Sequence, residues 1–164
     1  MGRPRGFDEQ AVTAGAVALF AVRTYDGVGV DDLVQQLGVH RNSLYKTFGS
    51  KRGLYLAALR WYLQQVLVPL ADRLAAGGDA QRHIDNMIGL DDLDLLLLAA
   101  VERAPVDAEV AAVVTEALRL LRQGLDQVPA GSPGEPARIT LSELLGERLR
   151  VRATFAPADT ASAD

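Results

Sequence analysis

Apolar residues return at helical spacing along most of this chain, and no stretch alternates for long with the two-residue period of a strand. Val12, Ala16, Leu19 and Phe20 form one stripe behind Asp8, a good helix cap, and predict a first helix ending near Thr24 to Gly27. Val30, Leu33, Val34 and Leu37 give the i, i+3, i+4, i+7 series of a second helix, and Gly38 then breaks the register where the chain must turn. Leu44 and Phe48 resume an inward face four residues apart.

The same pattern continues downstream. Ser50 caps a long fourth helix carrying Leu54, Ala58, Trp61, Tyr62 and Val66, which Pro69 is expected to kink or interrupt. A Gly-rich loop over 75–79 leads to a short helix through Ile84, Met87 and Ile88, and Asp91 to Arg103 follows as a helix apolar on most faces, predicting burial. Pro105 stops it. Asp107 starts another helix of about twenty residues through Val110, Val114, Leu118, Leu121 and Leu125. A Pro/Gly/Ser linker over 129–136 precedes the last helix, Ala137 to Arg152, with Leu141, Leu144, Leu145 and Leu149 on one side. The expected fold class is all-α, with a short Arg/Pro/Gly arm before the first helix and a frayed tail over 156–164.

Polar chemistry gathers on the third helix. His40, Arg41, Asn42, Ser43, Tyr45 and Lys46 are left pointing away from the core, and each can donate a hydrogen bond to phosphate or a base edge. Two short amphipathic helices joined by a Gly-centred turn, the second polar and basic, make a helix-turn-helix of the kind a DNA major groove accepts. The net charge of −4 looks wrong for that partner until it is divided. Residues 1–52 hold seven Lys/Arg against five Asp/Glu, whereas residues 53–164 hold ten against sixteen. Phosphate binding needs local positive charge, because counterions are released only where cations reach the backbone. An acidic remainder limits non-specific adhesion to DNA.

Other classes find little support. The absence of cysteine excludes disulfide and thiolate chemistry, and with two histidines no zinc-ligand spacing exists. Asp91, Asp92 and Asp94 read as a solvated helix start rather than a cation site. No nucleophile elbow, phosphate loop or metalloprotease motif is present, so an enzyme is not expected and no cofactor is implied. The longest uncharged apolar run, Leu95 to Val101, is far short of the roughly 20 residues that span a bilayer. No membrane association is expected, and the expected compartment is the cytoplasm.

Arg3-Pro-Arg, Phe7-Asp8, Ala18-Leu19-Phe20, Val30-Asp31-Asp32-Leu33, Gly38-Val39, Ser43-Leu44-Tyr45 and Phe48-Gly49-Ser50-Lys51 together resemble the tetracycline-repressor (TetR) family of bacterial transcriptional regulators. The likeness is tight over the first sixty residues; beyond them only the helix pattern is similar, most clearly at Leu98 to Pro105. It implies a three-helix DNA-binding domain over 1–52, joined by a long helix to a helical effector-binding and dimerisation domain over 53–155. The third helix, from His40 to Phe48, would enter the major groove with Arg41, Asn42 and Ser43 at base edges. Tyr45, Lys46 and Lys51 would take phosphates, and Arg3 and Arg5 the flanking minor groove.

The chain departs from the family at several points. Gly29 stands where Ser or Thr usually caps the second helix and binds phosphate, so it offers only its backbone; His40 replaces a small hydroxyl cap and is assigned instead to phosphate or base. Thr24 occupies a usual Gly position, leaving Gly27 to make the turn. The resemblance places an effector pocket among the later helices, with Trp61, Tyr62, Val66, Met87, Leu95 and Leu98 as its expected lining, although such residues equally make core. Family members end in two long helices that pair across a two-fold axis; this chain has one, so Leu141, Leu144, Leu145 and Leu149 become the expected dimer seam of a shortened region.

The function expected is a homodimeric, ligand-responsive repressor on a palindromic double-stranded operator, released by a small apolar or amphipathic effector. Two readings compete with it: a constitutive repressor without an effector, and a protein-interaction adaptor that has lost DNA binding.

Overall fold

The structure is a computed structural model that describes residues 8–76, 82, 84–85, 93–128 and 139–154. Among these residues every regular element is helical. α1 (Glu9–Val22) begins where the Asp8 carboxylate accepts the Ala11 amide at 3.0 Å, and it ends short of the expected span because Arg23 is already extended, at φ −120° and ψ 144°. α2 (Val30–Leu37) and α3 (Arg41–Phe48) follow. α4 (Lys51–Tyr62) starts on Ser50, whose hydroxyl accepts the Gly53 amide at 3.0 Å.

Pro69 does not break this helix. α4 widens into a π-helical turn, Leu63–Leu67, and continues as α5 (Val68–Ala75) with Pro69 in its first turn. A proline ring clashes with the carbonyl four residues back, and one extra residue in the preceding turn moves that carbonyl aside. α6 (Asp94–Leu98) runs into a second π turn, Ala99–Arg103. α7 (Ala108–Asp126) is capped by Asp107, which accepts the Glu109 and Val110 amides at 3.1 and 3.3 Å. α8 (Leu141–Thr154) opens on a capping box: Thr140 donates its amide to Glu143 at 2.7 Å, and the Glu143 amide returns to the Thr140 hydroxyl at 3.2 Å. The expected basic arm, the helix through Met87 and Ile88, the linker over 129–136 and the tail lie outside the described residues; Ile84 is buried.

One cluster of buried side chains runs from Val12 and Phe20 through Leu33, Leu44 and Leu54 to Leu67, Leu121 and Leu144. It passes without interruption across the expected boundary at residues 52 and 53. α1 lies against α4 and also against α6, α5 packs along α7, and α3 sits on α4. The three-helix unit is therefore seated on the rest of the chain by packing as well as by its covalent continuation through α4.

Three expectations are corrected here. Asp94 is not a solvated carboxylate: it is 4% exposed, accepts the Arg148 Nε at 2.8 Å and also binds Arg152. The helix through 95–103 is not buried all round, since Leu95, Leu96 and Ala99 face the core while Val101 is 78% exposed. Leu144 is not available to a dimer seam, because it is fully buried in the core of its own protomer. Leu141 and Leu145 are half-buried against the same core, and Leu149 is the exposed member of the four.

Candidate nucleic-acid interface

The α2–α3 unit is built on two fully buried leucines. Leu33 anchors α2 and Leu44 anchors α3, and every other position of α3 is wholly or partly open to solvent. Gly29 caps α2 from an extended conformation, its amide donating to Asp32 at 2.8 Å. Gly38 then closes α2 in the left-handed region at φ 62°, and Gly49 ends α3 at φ 74°. A side chain at either position would be strained, so these two glycines bound the recognition element.

His40, Arg41, Asn42, Tyr45 and Lys46 are exposed and Ser43 is half-buried. They therefore form one outward polar face on α3. His40 supplies no side-chain cap to the helix it precedes, leaving its imidazole outward. The Arg41 guanidinium pairs with Asp31 on α2, and this contact holds the Arg41 pKa above its ordinary value. Gly29 is exposed at the edge of the same surface. Arg3 and Arg5 lie outside the described residues.

Lys51 is differently placed from a simple phosphate ligand. Its ammonium donates to the Tyr25 and Val28 carbonyls at 3.1 and 3.0 Å and lies 4.2 Å over the Tyr25 ring. Two of its three donors thus close the α1–α2 loop. That engagement depends on a loop carbonyl arrangement that local sequence does not display.

Sequence reasoning also missed a polar seam behind the unit. The Glu102 carboxylate accepts the Tyr25 amide at 2.8 Å and the Asp26 amide at 3.3 Å, and the Arg103 guanidinium stacks 4.5 Å over the Tyr25 ring. Arg52 makes a two-point contact to Asp107 at 2.7 and 2.9 Å and reaches Glu109 at 3.0 Å, and Arg60 binds Glu109 as well. Arg152 donates to the Ala21 and Val22 carbonyls, where the negative end of α1 favours a cation. Of these groups only Asp107 carried a signal, as a helix cap. The others are ordinary surface charges until tertiary structure brings residues some 77 positions apart together.

Asp107 makes the seam sensitive to acid. The Arg52 hydrogen bonds hold its carboxyl at about 2, below its ordinary 3.8, with the Val110 and Glu109 amides adding to the effect. A carboxyl whose pKa is lowered by folding stabilises the fold above its unfolded value, and that contribution is lost as pH falls through the folded one. The Arg52–Asp107 component of stability should therefore persist to about pH 4 and decay between there and pH 2. Melting temperatures of the wild type and Asp107→Asn would converge over that window; a constant gap down to pH 2 contradicts the assignment.

The expected effector residues differ in exposure. Tyr62 and Leu95 are 4% and 1% exposed and belong to the core; Trp61, Val66 and Leu98 are half-buried; Met87 lies outside the described residues. A groove of about 500 Å³ runs between α1 and the turn into α3, past Gly15, Gly38, His40 and Ser43. Among the described residues no group of His, Asp and Glu could hold a metal ion, and no helix is long and apolar enough to cross a membrane.

Comparison with known proteins gives a consistent context. Residues 12–58 match the family described as bacterial regulatory proteins, tetR family. The chain is 33% identical over 121 residues to the uncharacterized HTH-type transcriptional regulator YezE of Bacillus subtilis, a match covering 68% of this chain and 62% of that protein. It is 45% identical over 74 residues to the HTH-type transcriptional repressor BdcR of Escherichia coli, covering 44% of this chain and 37% of BdcR. These matches span less than two thirds of either relative. In three dimensions the fold is similar to a cysteine mutant of the TetR family transcriptional regulator CifR, solved with 26-bp double-strand operator DNA, at a TM-score of 0.58, 24% identity and coverage of 90% of this chain and 91% of that one.

Proposed function

Because the chain belongs to the tetR family of bacterial regulatory proteins, we propose that it binds duplex DNA through α3 and represses transcription as a two-fold homodimer. The observation that carries this reading is the exposed polar face of α3, standing on buried Leu33 and Leu44. Apart from the Arg41 pair with Asp31, a face carrying Arg41, Asn42, Tyr45 and Lys46 has no packing use among the described residues. Arg41 and Asn42 sit in the first turn, the end of a recognition helix that reaches base edges, and these side chains make two-point contacts to guanine and adenine. Ser43 and His40 adjoin them. Tyr45, Lys46, the remaining Lys51 donor and the Gly29 amide are assigned to phosphates, and Arg3 and Arg5 to the minor groove.

One such unit reads too few base pairs for selectivity, so two copies on half-sites one helical turn apart, about 34 Å, complete the binding site. Residues 1–52 form the reading domain in this account and residues 53–155 the effector and pairing domain. Relief of repression by a small apolar or amphipathic molecule near Trp61, Tyr62, Val66 and Leu98 would act through α4, which joins both parts. A repressor without an effector is the second reading, favoured by the closure of Tyr62 and Leu95 into the core.

Selection of duplexes from a random pool by the full-length chain tests the proposal. Arg41→Ala should weaken binding to the selected duplex by roughly 10- to 100-fold and relax preference at one base pair of each half-site. Lys46→Ala should weaken all duplexes alike and lower the salt slope by about one. Undiminished affinity in both variants, or no enriched duplex, would rule the regulator out in favour of a protein-interaction adaptor.

A further inference from the structure

We propose that Glu102 and Arg103 are positioning residues for DNA binding: they latch the α1–α2 loop, and the π turn that carries them is the element through which the C-terminal part loosens that grip. This rests on the DNA-binding reading above and adds to it a route of regulation.

The loop between α1 and α2 sets the attitude of the reading unit, because α2 and α3 follow it as one packed pair. Its backbone is held from two directions. Its carbonyls at Tyr25 and Val28 accept from Lys51 of α4, while its amides at Tyr25 and Asp26 donate to Glu102. The Tyr25 ring is covered by Lys51 at 4.2 Å and Arg103 at 4.5 Å, and it meets Tyr55 edge-on at 4.9 Å. Lys51 and Tyr55 belong to α4, which moves with the three-helix unit through their shared core. Glu102 and Arg103 are the part of this cradle that comes from the far side of the molecule.

The backbone beneath them is a π turn at the C-terminal end of its helix. Residues Ala99–Arg103 form a π turn closed by the Ala104 amide on the Ala99 carbonyl at 2.9 Å. A π turn is wider than the α-helix that precedes it, and tightening it to α geometry would rotate the side chains it carries about the axis. Such a rotation carries Glu102 away from the two amides and Arg103 off the ring. The Arg103 grip is also incompletely satisfied: its Nε is buried with no hydrogen-bond partner among the described residues, and its Asp107 contact is long at 3.6 Å. A latch held by a strong carboxylate contact and an under-satisfied guanidinium is poised to open. Because α6 packs on α1 and leads directly into the π turn, displacement of α6 reaches the loop without passing along α4.

The test uses the full chain, a duplex enriched from a random pool by the wild type, and a scrambled duplex of the same composition. Glu102→Ala removes the acceptor; Glu102→Gln keeps its volume and leaves one carbonyl, so it serves if the alanine variant folds poorly. Glu116→Ala, on the exposed face of α7, is the control. Amide exchange at Tyr25 and Asp26 should rise in Glu102→Ala while exchange in the core of α4 stays constant. Affinity for the enriched duplex should fall about tenfold, within the usual range of coupling between distant sites, with the scrambled duplex little changed. Glu102→Gln should be intermediate and Glu116→Ala like wild type. Unchanged exchange and affinity in Glu102→Ala overturns the latch, and so does a parallel loss on both duplexes with a lowered melting temperature, which marks a merely structural role. A wild-type chain that enriches no duplex overturns the reading beneath the latch, and the latch with it.

Discussion

Gly53→Ala should destabilise the chain by about 3 kcal/mol, the severe end of overpacking, although Ala is the better helix former by about 1 kcal/mol. Gly53 lies in the first turn of α4, directly behind the end of α3. A Cβ placed there would stand 1.9 Å from the Phe48 carbonyl oxygen and 3.1 Å from its carbon. The obstacle is backbone, so no side-chain rotation relieves it, and α3 must move away from α4 or α4 must unwind at its cap. Either change disturbs the surface assigned to DNA. Gly146→Ala provides the opposite case, since a Cβ at that position of α8 meets nothing within 4 Å among the described residues, which leaves the helix propensity gain. Urea denaturation of both variants decides the matter. Equal stability of Gly53→Ala and wild type would mean that the α3–α4 corner is looser than its geometry indicates.

Asp94→Ala should cost about 3–5 kcal/mol, because a buried guanidinium loses the carboxylate that faces it in low dielectric. Asp94 and Arg148 have side chains only 5% and 4% exposed, and Asp94 also binds Arg152. Its loss deprives both arginines of this carboxylate and frees α8 from α6. Combining Asp94→Leu with Arg148→Met should recover much of the loss, since well-packed apolar groups replace a buried pair at little cost. The readout is the denaturation midpoint of the single and double variants, with exchange protection in α8 falling first in the single one. A single-variant loss below about 1 kcal/mol, the range of solvent-exposed pairs, would show that water reaches the site.

The Asp94 prediction comes from a contact that no local pattern displays, and this separates what was legible in the sequence from what was not. The all-helical class follows from spacing alone: the apolar periods of α1, α2 and α7 and the caps Asp8, Ser50 and Asp107 are short-range properties, and the caps act where their residue types predict. The reading unit was legible for the same reason, because Leu33, Gly38 and Leu44 encode two buried anchors and a left-handed corner within a dozen residues, leaving Arg41, Asn42, Tyr45 and Lys46 outward.

Long-range charge pairing was not legible. Asp94 looked like the acidic first turn of a solvated helix, and only the arrival of Arg148 from α8 made its burial affordable. Lys51 was legible as a cation at the α4 start, but the two loop carbonyls that take two of its donors were not. Pro69 looked like a break, and a π turn absorbed it. Periodicity and capping act over one or two helical turns, so the chain alone determined its helices and the outward face of α3. Where a charge ends depends on which distant partner compensates its desolvation. That choice was made by tertiary structure, and with it came the seam holding the reading unit to the rest of the molecule.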